Sequence, residues 1–276
     1  MTQKVGLIGF PVSHSLSPSM HNAAFKALGM DWSYDAMAIP PDILKHGIRE
    51  PMQHGYIGLN VTIPHKEAVM RFVTPDPIAR AVGAINTIDF RTNTGTNTDV
   101  QGFIDDLNAN AIPIKDQLVA VLGAGGAARA AVYGLVREGA KVVVVNRTMQ
   151  KAQVMLADLT MSAGIRGVEA MTLDDIAELP VSLMVNCTSA GLSPNVDDSP
   201  WIDGVPFPKN ITVYDMIYRP QKTKFMTQAE KAGGRAVGGL GMLVRQGALS
   251  FKLWTGVDAP IETMFFVALI ELALKG

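Results

Sequence analysis

The stretch Leu118-Val-Ala-Val-Leu-Gly123-Ala-Gly125-Gly126-Ala-Ala128 decides the fold of this chain. Its apolar residues predict a buried strand, and the glycines behind them predict a turn that opens a helix. A second apolar strand, Val142-Val-Val-Val145, follows about twenty residues later, which is the spacing of a βαβ unit that binds a dinucleotide. We therefore predict a Rossmann-type α/β domain around this turn.

Small residues in the turn leave room for a pyrophosphate. Gly123 permits the sharp bend, and Gly125 and Gly126 let backbone N–H groups approach the phosphates at the helix N-terminus. Ala128 lets the helix pack close to the sheet. An ordinary turn is the simpler explanation, but the two β-branched strands favour a nucleotide site.

The residues after the second strand distinguish NADP from NAD. An NAD site needs a carboxylate here for the ribose 2′-hydroxyl, whereas this chain has Asn146, Arg147 and Thr148. A guanidinium pairs with a 2′-phosphate through two hydrogen bonds. We therefore predict NADP as the cofactor.

Composition and charge limit the class of protein. Of the 276 residues, 48% are hydrophobic and 18% charged, as in globular chains. A net charge of −1 gives no basis for binding nucleic acid or an anionic membrane surface. No apolar run is long enough to span a bilayer, and no signal-peptide core follows the N-terminus. We expect a cytoplasmic protein. The sequence is silent on the oligomeric state, and a homodimer is one option.

The histidines and the single cysteine show no metal-ligand spacing, so we predict no metal site. One cysteine, Cys187, permits no internal disulfide, as expected in a reducing cytoplasm.

The first third of the chain alternates strands with helices, which predicts a mainly parallel α/β domain. Ser17 is expected to cap the first helix, with Pro18 in its first turn. Residues 91–95 predict a hairpin turn. The predicted strands are 5–10, 32–39, 56–63 and 84–90.

Two domains are expected, a substrate-binding domain of residues 1–100 plus 243–276 and an NADP-binding Rossmann domain of residues 101–242. The final helix has Asp258 as its predicted cap, Pro260 in its first turn and Gly276 after its end. Its apolar residues fall at helical spacing and require a partner surface. Because the nucleotide domain is already complete, we expect this helix to return to the first domain.

Four polar clusters fall in the first domain. Singly, each has a simple explanation: a helix cap for Ser17 or Asp99, and a solvated charge for Lys66. Together they place hydroxyls, amides, a cation and a carboxylate near strand ends, which suits a substrate with several hydroxyls. The clusters are Ser13-His-Ser-Leu-Ser-Pro18, Asn60-Val-Thr-Ile-Pro-His-Lys66, Gly83-Ala-Ile-Asn-Thr87 and Asn97-Thr-Asp-Val-Gln-Gly102.

These clusters, the glycine turn and Asn146-Arg-Thr148 resemble the shikimate dehydrogenase family, and the resemblance covers nearly the whole chain in the family's motif order. It implies an enzyme that uses NADPH to reduce 3-dehydroshikimate reversibly to shikimate, on the route to chorismate and the aromatic amino acids. Three further stretches carry it: Asn186-Cys-Thr-Ser-Ala-Gly191, Asp215-Met-Ile-Tyr-Arg-Pro220 and Gly238-Gly-Leu-Gly-Met-Leu-Val-Arg-Gln-Gly-Ala248.

The resemblance also implies roles for individual residues. Lys66 matches the catalytic lysine and Asp99 its partner, while Ser15 and Ser17 match the pair that binds the substrate carboxylate. Thr62, Asn86, Asp99 and Gln246 match the residues that hold the hydroxyls, with Asn60 and Tyr218 as neighbours. On the cofactor side, Gly125, Gly126 and Ala127 match the pyrophosphate turn, to which Gly123 and Ala124 also belong. Asn146, Arg147 and Thr148, with Lys151, match the 2′-phosphate pocket. The residues matched to the nicotinamide half are Thr188, Met216, Gly239 and Met242.

Alternatives remain open at this stage. Lys66 acts either as a general acid and base or as an electrostatic positioner. Lys151 stands where many relatives carry a second arginine. Its ammonium group would contact the phosphate as a point charge, without the paired hydrogen bonds of a guanidinium. The rival functions are a dual quinate/shikimate dehydrogenase that uses NAD, and a non-catalytic sensor on the same scaffold.

Overall fold

The computed structural model describes residues 2–177, 179–202 and 204–275. The chain forms two compact units: residues up to Gly102 together with Leu243–Lys275, and Phe103–Met242. Gly276, expected after the last helix, lies outside the described residues.

Twelve strands and ten α-helices are found among the described residues. The strands are β1 Gln3–Gly9, β2 Trp32–Ala38, β3 Tyr56–Val61, β4 Thr74–Pro75, β5 Thr87–Asp89, β6 Thr94–Thr96, β7 Leu118–Leu122, β8 Lys141–Val145, β9 Glu169–Met171, β10 Leu183–Asn186, β11 Thr212–Asp215 and β12 Arg235–Gly238. The helices are α1 Ser17–Ala27, α2 Leu44–Gln53, α3 Pro77–Val82, α4 Asp99–Ala109, α5 Gly126–Arg137, α6 Met149–Ala163, α7 Leu173–Ala177, α8 Lys224–Lys231, α9 Leu240–Thr255 and α10 Ile261–Lys275.

The sheet of the first unit has the order β2-β1-β3-β5-β6-β4. β1 pairs in parallel with both β2 and β3, and its apolar centre, from Val5 to Ile8, is buried. β5 is antiparallel to β3 and to β6, so the predicted hairpin at 91–95 is present. Parallel pairs predominate, as predicted.

The sheet of the second unit is parallel at every strand pair, with the order β12-β11-β10-β7-β8-β9. Counted within the unit, this is the 3-2-1-4-5-6 order of the Rossmann fold, whose order reverses between β7 and β10. The near-continuous apolar runs of β7 and β8 are buried because helices cover both faces of such a sheet. The predicted α/β fold class is confirmed.

Several predicted boundaries were wrong. Helix α1 begins at Ser17, with Leu16 as its N-cap and no side-chain capping bond, so Ser17 is not the cap. The Oγ of Ser15 accepts the N–H of Ser17 at the start of the helix. The predicted strand at 84–90 narrows to β5, since only its centre pairs with β3 and β6.

The last helix also departs from prediction at its start. α10 begins at Ile261, so Asp258 is not its cap and Pro260 precedes the first turn. The Asp258 carboxylate instead pairs with the Nζ of Lys252 at 2.7 Å. As expected, α10 returns to the first unit, where it packs on α1.

In the part of the chain that the structure describes, no helix has both the length and the apolar character that a bilayer span requires.

Candidate active site

A lysine–aspartate pair lies at the centre of the polar residues in the first unit. The Nζ of Lys66 donates to Oδ2 of Asp99 at 2.7 Å, across 33 positions of sequence. The side chains are 18% and 5% exposed, respectively. Because both charges are largely removed from water, loss of one partner would leave the other buried and uncompensated.

The backbone around Lys66 is fixed on two sides. Its carbonyl oxygen accepts the N–H of Ile85 at 2.7 Å, in the chain that leads into β5. The preceding residue, His65, is 1% exposed, and its Nε2 lies 2.6 Å from the carbonyl oxygen of Ile39. The ammonium group is thereby held at the end of a short turn after β3.

Asp99 is free to face Lys66 because another residue caps helix α4. The Oδ1 of Asn97 accepts the backbone N–H of Asp99 at 3.1 Å and that of Val100 at 3.4 Å. Helix capping, the simpler explanation for Asp99 in the sequence, therefore belongs to Asn97.

The amide of Asn86 links this carboxylate to helix α9. Its Nδ2 donates to Oδ1 of Asp99 at 2.9 Å and lies 3.2 Å from Oε1 of Gln246. Its Oδ1 accepts the backbone N–H of Thr98 at 2.8 Å. Since a carboxylate only accepts and a backbone N–H only donates, the orientation of this amide is determined.

The other polar residues of the first unit lie at the ends of β1 and β3. Asn60 is 5% exposed near the end of β3, and Thr62 follows that strand, with its N–H on the carbonyl oxygen of Ile8. Ser15 and Ser17 lie in the loop and first turn that begin α1. Six of the predicted substrate residues thus lie in this unit, whereas Tyr218 lies after β11 in the second.

The glycine turn joins β7 to α5 in the second unit. Gly123 has φ +119°, and a Cβ there would lie 3.2 Å from the backbone of Cys187, so both its conformation and the space around it require glycine. Gly125 is the N-cap of α5 and makes no side-chain cap, and a Cβ there would meet nothing within 4 Å. The N-terminus of α5 is therefore open to an anion such as a pyrophosphate.

The end of β8 carries the basic residues. The Nδ2 of Asn146 donates to the carbonyl oxygen of Thr148 at 2.8 Å, which shapes the turn into α6. Arg147, Thr148 and Lys151 are exposed, and the Thr148 hydroxyl makes no cap bond at this helix start. Two cations and a hydroxyl beside a helix N-terminus fit a phosphate.

A buried aspartate organises the ends of β10 and β11. Asp215 accepts from Nδ2 of Asn186 at 2.9 Å, from the N–H of Ile217 at 3.0 Å and from the hydroxyl of Thr223 at 2.7 Å. Burial raises the pKa of this carboxyl to about 6, against the lowering effect of these bonds. The Oδ1 of Asn186 in turn accepts the hydroxyl and the N–H of Thr188.

The remaining predicted cofactor residues have different surroundings. Met216 is half-buried after β11, and a Cβ at Gly239 would lie 2.2 Å from its carbonyl oxygen, so glycine is needed for this close approach. Met242 is 7% exposed and packs in the core of the second unit. Tyr218, a predicted substrate residue, also lies in this unit, and burial raises the pKa of its hydroxyl.

Within the described residues, no three histidine, cysteine, aspartate or glutamate side chains are grouped so that they could hold a metal ion.

Family models match three stretches of this chain. Residues 7–88 match the shikimate dehydrogenase substrate binding domain, residues 106–191 the shikimate / quinate 5-dehydrogenase model, and residues 239–264 the shikimate 5'-dehydrogenase C-terminal domain. The shikimate dehydrogenase (NADP(+)) of Methanocella arvoryzae is 43% identical over 261 residues, which cover 94% of this chain and 95% of that protein. The chain belongs to the shikimate dehydrogenase family.

Solved structures of shikimate dehydrogenases have the same fold. One in complex with NADP+ gives a TM-score of 0.90 at 34% identity and covers 98% of this chain and 96% of its own. The enzyme of Thermus thermophilus, solved with NADP(H) and shikimate, gives 0.87 at 36% identity and covers 98% of this chain and 100% of its own.

Sequence reasoning gave no role to three buried polar residues of this shikimate dehydrogenase fold: Tyr34, Thr87 and Ser250. Thr87 is the last residue of the cluster at 83–87, but substrate binding was assigned to its neighbour Asn86. Ser250 lies four residues after Gln246 on α9, so the two share a helix face, a spacing that is visible in the sequence. Tyr34 lies in β2, outside every motif quoted from the sequence.

Proposed function

We propose that this chain catalyses the reversible, NADP-dependent reduction of 3-dehydroshikimate to shikimate, a step toward chorismate and the aromatic amino acids. The observation that carries the proposal is the contact of Lys66 with Asp99 and of Asp99 with Asn86, which places a cation, a carboxylate and an amide side by side. Such a set can bind neighbouring hydroxyls and exchange a proton with one of them. Membership of the family and identities near 40% over almost the whole length support it.

We assign substrate binding to residues 1–100 plus 243–276 and NADP binding to residues 101–242. In the first, the hydroxyls of Ser15 and Ser17 donate to the substrate carboxylate. The residues assigned to the substrate hydroxyls are Asn60, Thr62, Asn86, Asp99 and Gln246. Tyr218, from residues 101–242, is also assigned to the substrate.

NADPH supplies the hydride that reduces the C3 carbonyl of the substrate. Charge builds on the carbonyl oxygen as this happens, and the protonated Nζ of Lys66 donates a hydrogen bond to it and then the proton. In the oxidation of shikimate, neutral Lys66 accepts the hydroxyl proton. Asp99 holds Nζ through Oδ2 and is itself held through Oδ1 by Asn86, so the lysine keeps one position through the cycle.

The residues of the second unit fit NADP. The open N-terminus of α5, with Gly123, Ala124, Gly125, Gly126 and Ala127, receives the pyrophosphate. Arg147 pairs with the 2′-phosphate, assisted by Asn146, Thr148 and the point charge of Lys151. Thr188, Met216, Gly239 and Met242 are assigned to the nicotinamide half.

Two further assignments complete the proposal. The location is the cytoplasm, as the composition and the single cysteine suggest, and the assembly is a homodimer. Gel filtration with light scattering tests the assembly, and a monomeric mass at micromolar concentration would refute it.

The deciding experiment follows nicotinamide absorbance with shikimate or quinate, each with NADP⁺ or NAD⁺. We expect fast reduction of NADP⁺ with shikimate and slow reaction for the other three pairs. Comparable rates with quinate or NAD⁺ would make the protein a dual-specificity enzyme, which the family model for residues 106–191 also covers by name. A folded protein without turnover on any pair would refute the catalytic proposal and favour a sensor.

A further inference from the structure

A series of buried hydrogen bonds leads through the first unit to the Lys66–Asp99 pair. Three of its members have no assigned role: Tyr34, Thr87 and Ser250, which are 2%, 0% and 0% exposed. They come from β2, β5 and α9, so they tie together parts of the unit that are far apart in sequence. A buried polar group is costly unless its hydrogen bonds are made, so the orientation of each group here is constrained.

The orientation of the Asn60 amide follows from its surroundings. One end lies 3.2 Å from the carbonyl oxygen of Asn86, which can only accept, so Nδ2 is at that end. The other end is then Oδ1, which lies 2.7 Å from the hydroxyl of Tyr34. Tyr34 must therefore donate its single proton to Asn60.

The Nδ2 of Asn60 then continues the chain toward the second amide. It donates to the Oγ of Ser250 at 2.9 Å and lies 3.0 Å from Oγ1 of Thr87. Thr87 and Ser250 are 2.8 Å apart, and Ser250 also reaches the carbonyl oxygen of Gln246. Ser250 thus joins β3 and β5 to the helix that carries Gln246.

Thr87 completes the path to the reacting pair. Its hydroxyl donates to Oδ1 of Asn86 at 3.0 Å, and Nδ2 of Asn86 donates to Asp99. The path is continuous from Tyr34 through Asn60, Thr87 and Asn86 to the Asp99 carboxylate. A backbone carbonyl fixes the Asn60 amide, and a backbone N–H and a carboxylate fix the Asn86 amide. The donor directions of the Tyr34 and Thr87 hydroxyls then follow from these two amides.

We propose that Tyr34, Thr87 and Ser250 are positioning residues that hold the amides of Asn60 and Asn86 in place. A flipped Asn60 would face a carbonyl oxygen with its own oxygen, and a flipped Asn86 would do the same to a carboxylate. The carbonyl oxygen and the carboxylate thus set the two orientations. The three hydroxyls satisfy the remaining donors and acceptors of the amides, and they so keep both amides in place for the substrate hydroxyls. This inference rests on the proposed function, because it explains how that site keeps its geometry.

The primary test is Tyr34→Phe, which removes only the hydroxyl and keeps the ring that stacks on His21 at 4.3 Å. We expect kcat/KM for shikimate to fall roughly tenfold, because one buried acceptor loses its donor, while KM for NADP⁺ stays the same. Tyr56→Phe is the matched control, since that hydroxyl donates to the carboxylate of Asp35 outside this chain of bonds.

Thr87 and Ser250 allow a second pair of comparisons. Thr87→Val keeps the shape but not the hydroxyl and should lower kcat/KM, whereas Thr87→Ser restores an Oγ and should recover it. Ser250→Ala is compared with Thr255→Ala on the same helix, whose hydroxyl also bonds a carbonyl oxygen four residues back but joins no amide.

A double-mutant cycle separates positioning from general destabilisation. The effect of Tyr34→Phe should disappear in an Asn60→Ala background, because Tyr34 acts through that amide. Equal losses in both backgrounds, or equal kinetics for Tyr34→Phe and Tyr56→Phe in folded proteins, would overturn the inference alone. A wild-type protein without shikimate turnover would overturn the proposed function and this inference with it.

Discussion

Replacement of His21 by phenylalanine should make the free energy of unfolding of the first unit less dependent on acid pH. His21 is 0% exposed in α1, and neither of its ring nitrogens has a hydrogen-bond partner. It is surrounded by the rings of Phe25, Tyr34, Phe251 and Trp254. Burial lowers its pKa from 6.5 to about 3, because a charged imidazole cannot be solvated there.

The sign and size of the effect follow from proton linkage. Below pH 6.5 the unfolded chain binds a proton at this histidine, while the folded chain binds none until about pH 3. Unfolding is therefore favoured as the pH falls. From pH 7.5 to 5.0 the contribution of this residue to the free energy of unfolding drops by about 2 kcal/mol. This figure is the same for any folded-state pKa that lies well below 5.

The assay is urea denaturation at several pH values between 7.5 and 5.0, followed by tryptophan fluorescence. Trp201 lies in the second unit, so a Trp201→Phe background leaves Trp32 and Trp254 to report on the first. His21→Phe should lose about 2 kcal/mol less than its parent over this pH range. A larger ring can also overpack the site, but that cost does not depend on pH.

His14→Phe, which removes an exposed histidine from the loop before α1, is the matched control. Equal pH dependence in His21→Phe and in its parent would refute the reasoning, whatever the absolute stabilities.

Three further predictions concern the proposed chemistry and the second unit. Lys66→Ala should lower kcat by about two to four orders of magnitude with a modest change in KM, and near-normal turnover would sink the proton-transfer role. Arg147→Ala should lower kcat/KM for NADP⁺ by about ten- to a hundredfold and leave the value for NAD⁺ unchanged; equal losses for both cofactors would contradict the 2′-phosphate contact. Asp215 has its pKa raised to about 6, so the stability that it contributes below pH 3.8 is lost as the pH rises through 6, about 3 kcal/mol in all. Asp215→Asn should abolish this loss in urea titrations of the second unit between pH 4 and 7, and an unchanged slope would argue against it.

The parts of the fold that the sequence could predict are those with local signals. The glycine turn directly follows one apolar strand and opens the helix that leads to the next, and its geometry depends on residues within a few positions of Gly123. Helix starts were less predictable, since Ser15, Ser17, Asn97 and Asp99 are all good capping residues. Which of them caps depends on where the chain bends, and that is decided by packing.

In the candidate site, too, local features could be predicted from the sequence and long-range contacts could not. The strand-end clusters indicated which residue types were available, but the contact between Lys66 and Asp99 spans 33 positions and depends on the sheet order. One partner of Asn60 is still more remote: Ser250 lies 190 positions away, on a helix that begins where the second unit ends. No local pattern encodes such a pairing.

That long separation has a consequence for synthesis on the ribosome. Residues 103–242 form a continuous unit, whereas the polar centre of the first unit stays incomplete until α9 has emerged. At translation rates of about 5–20 residues per second, the intervening unit takes roughly ten to thirty seconds to make. During that interval Asn60, Thr87 and the surface of β5 that later receives Trp254 remain without their partners. The middle of this protein should therefore reach its native state before its beginning, and chaperones should contact the N-terminal half for longer.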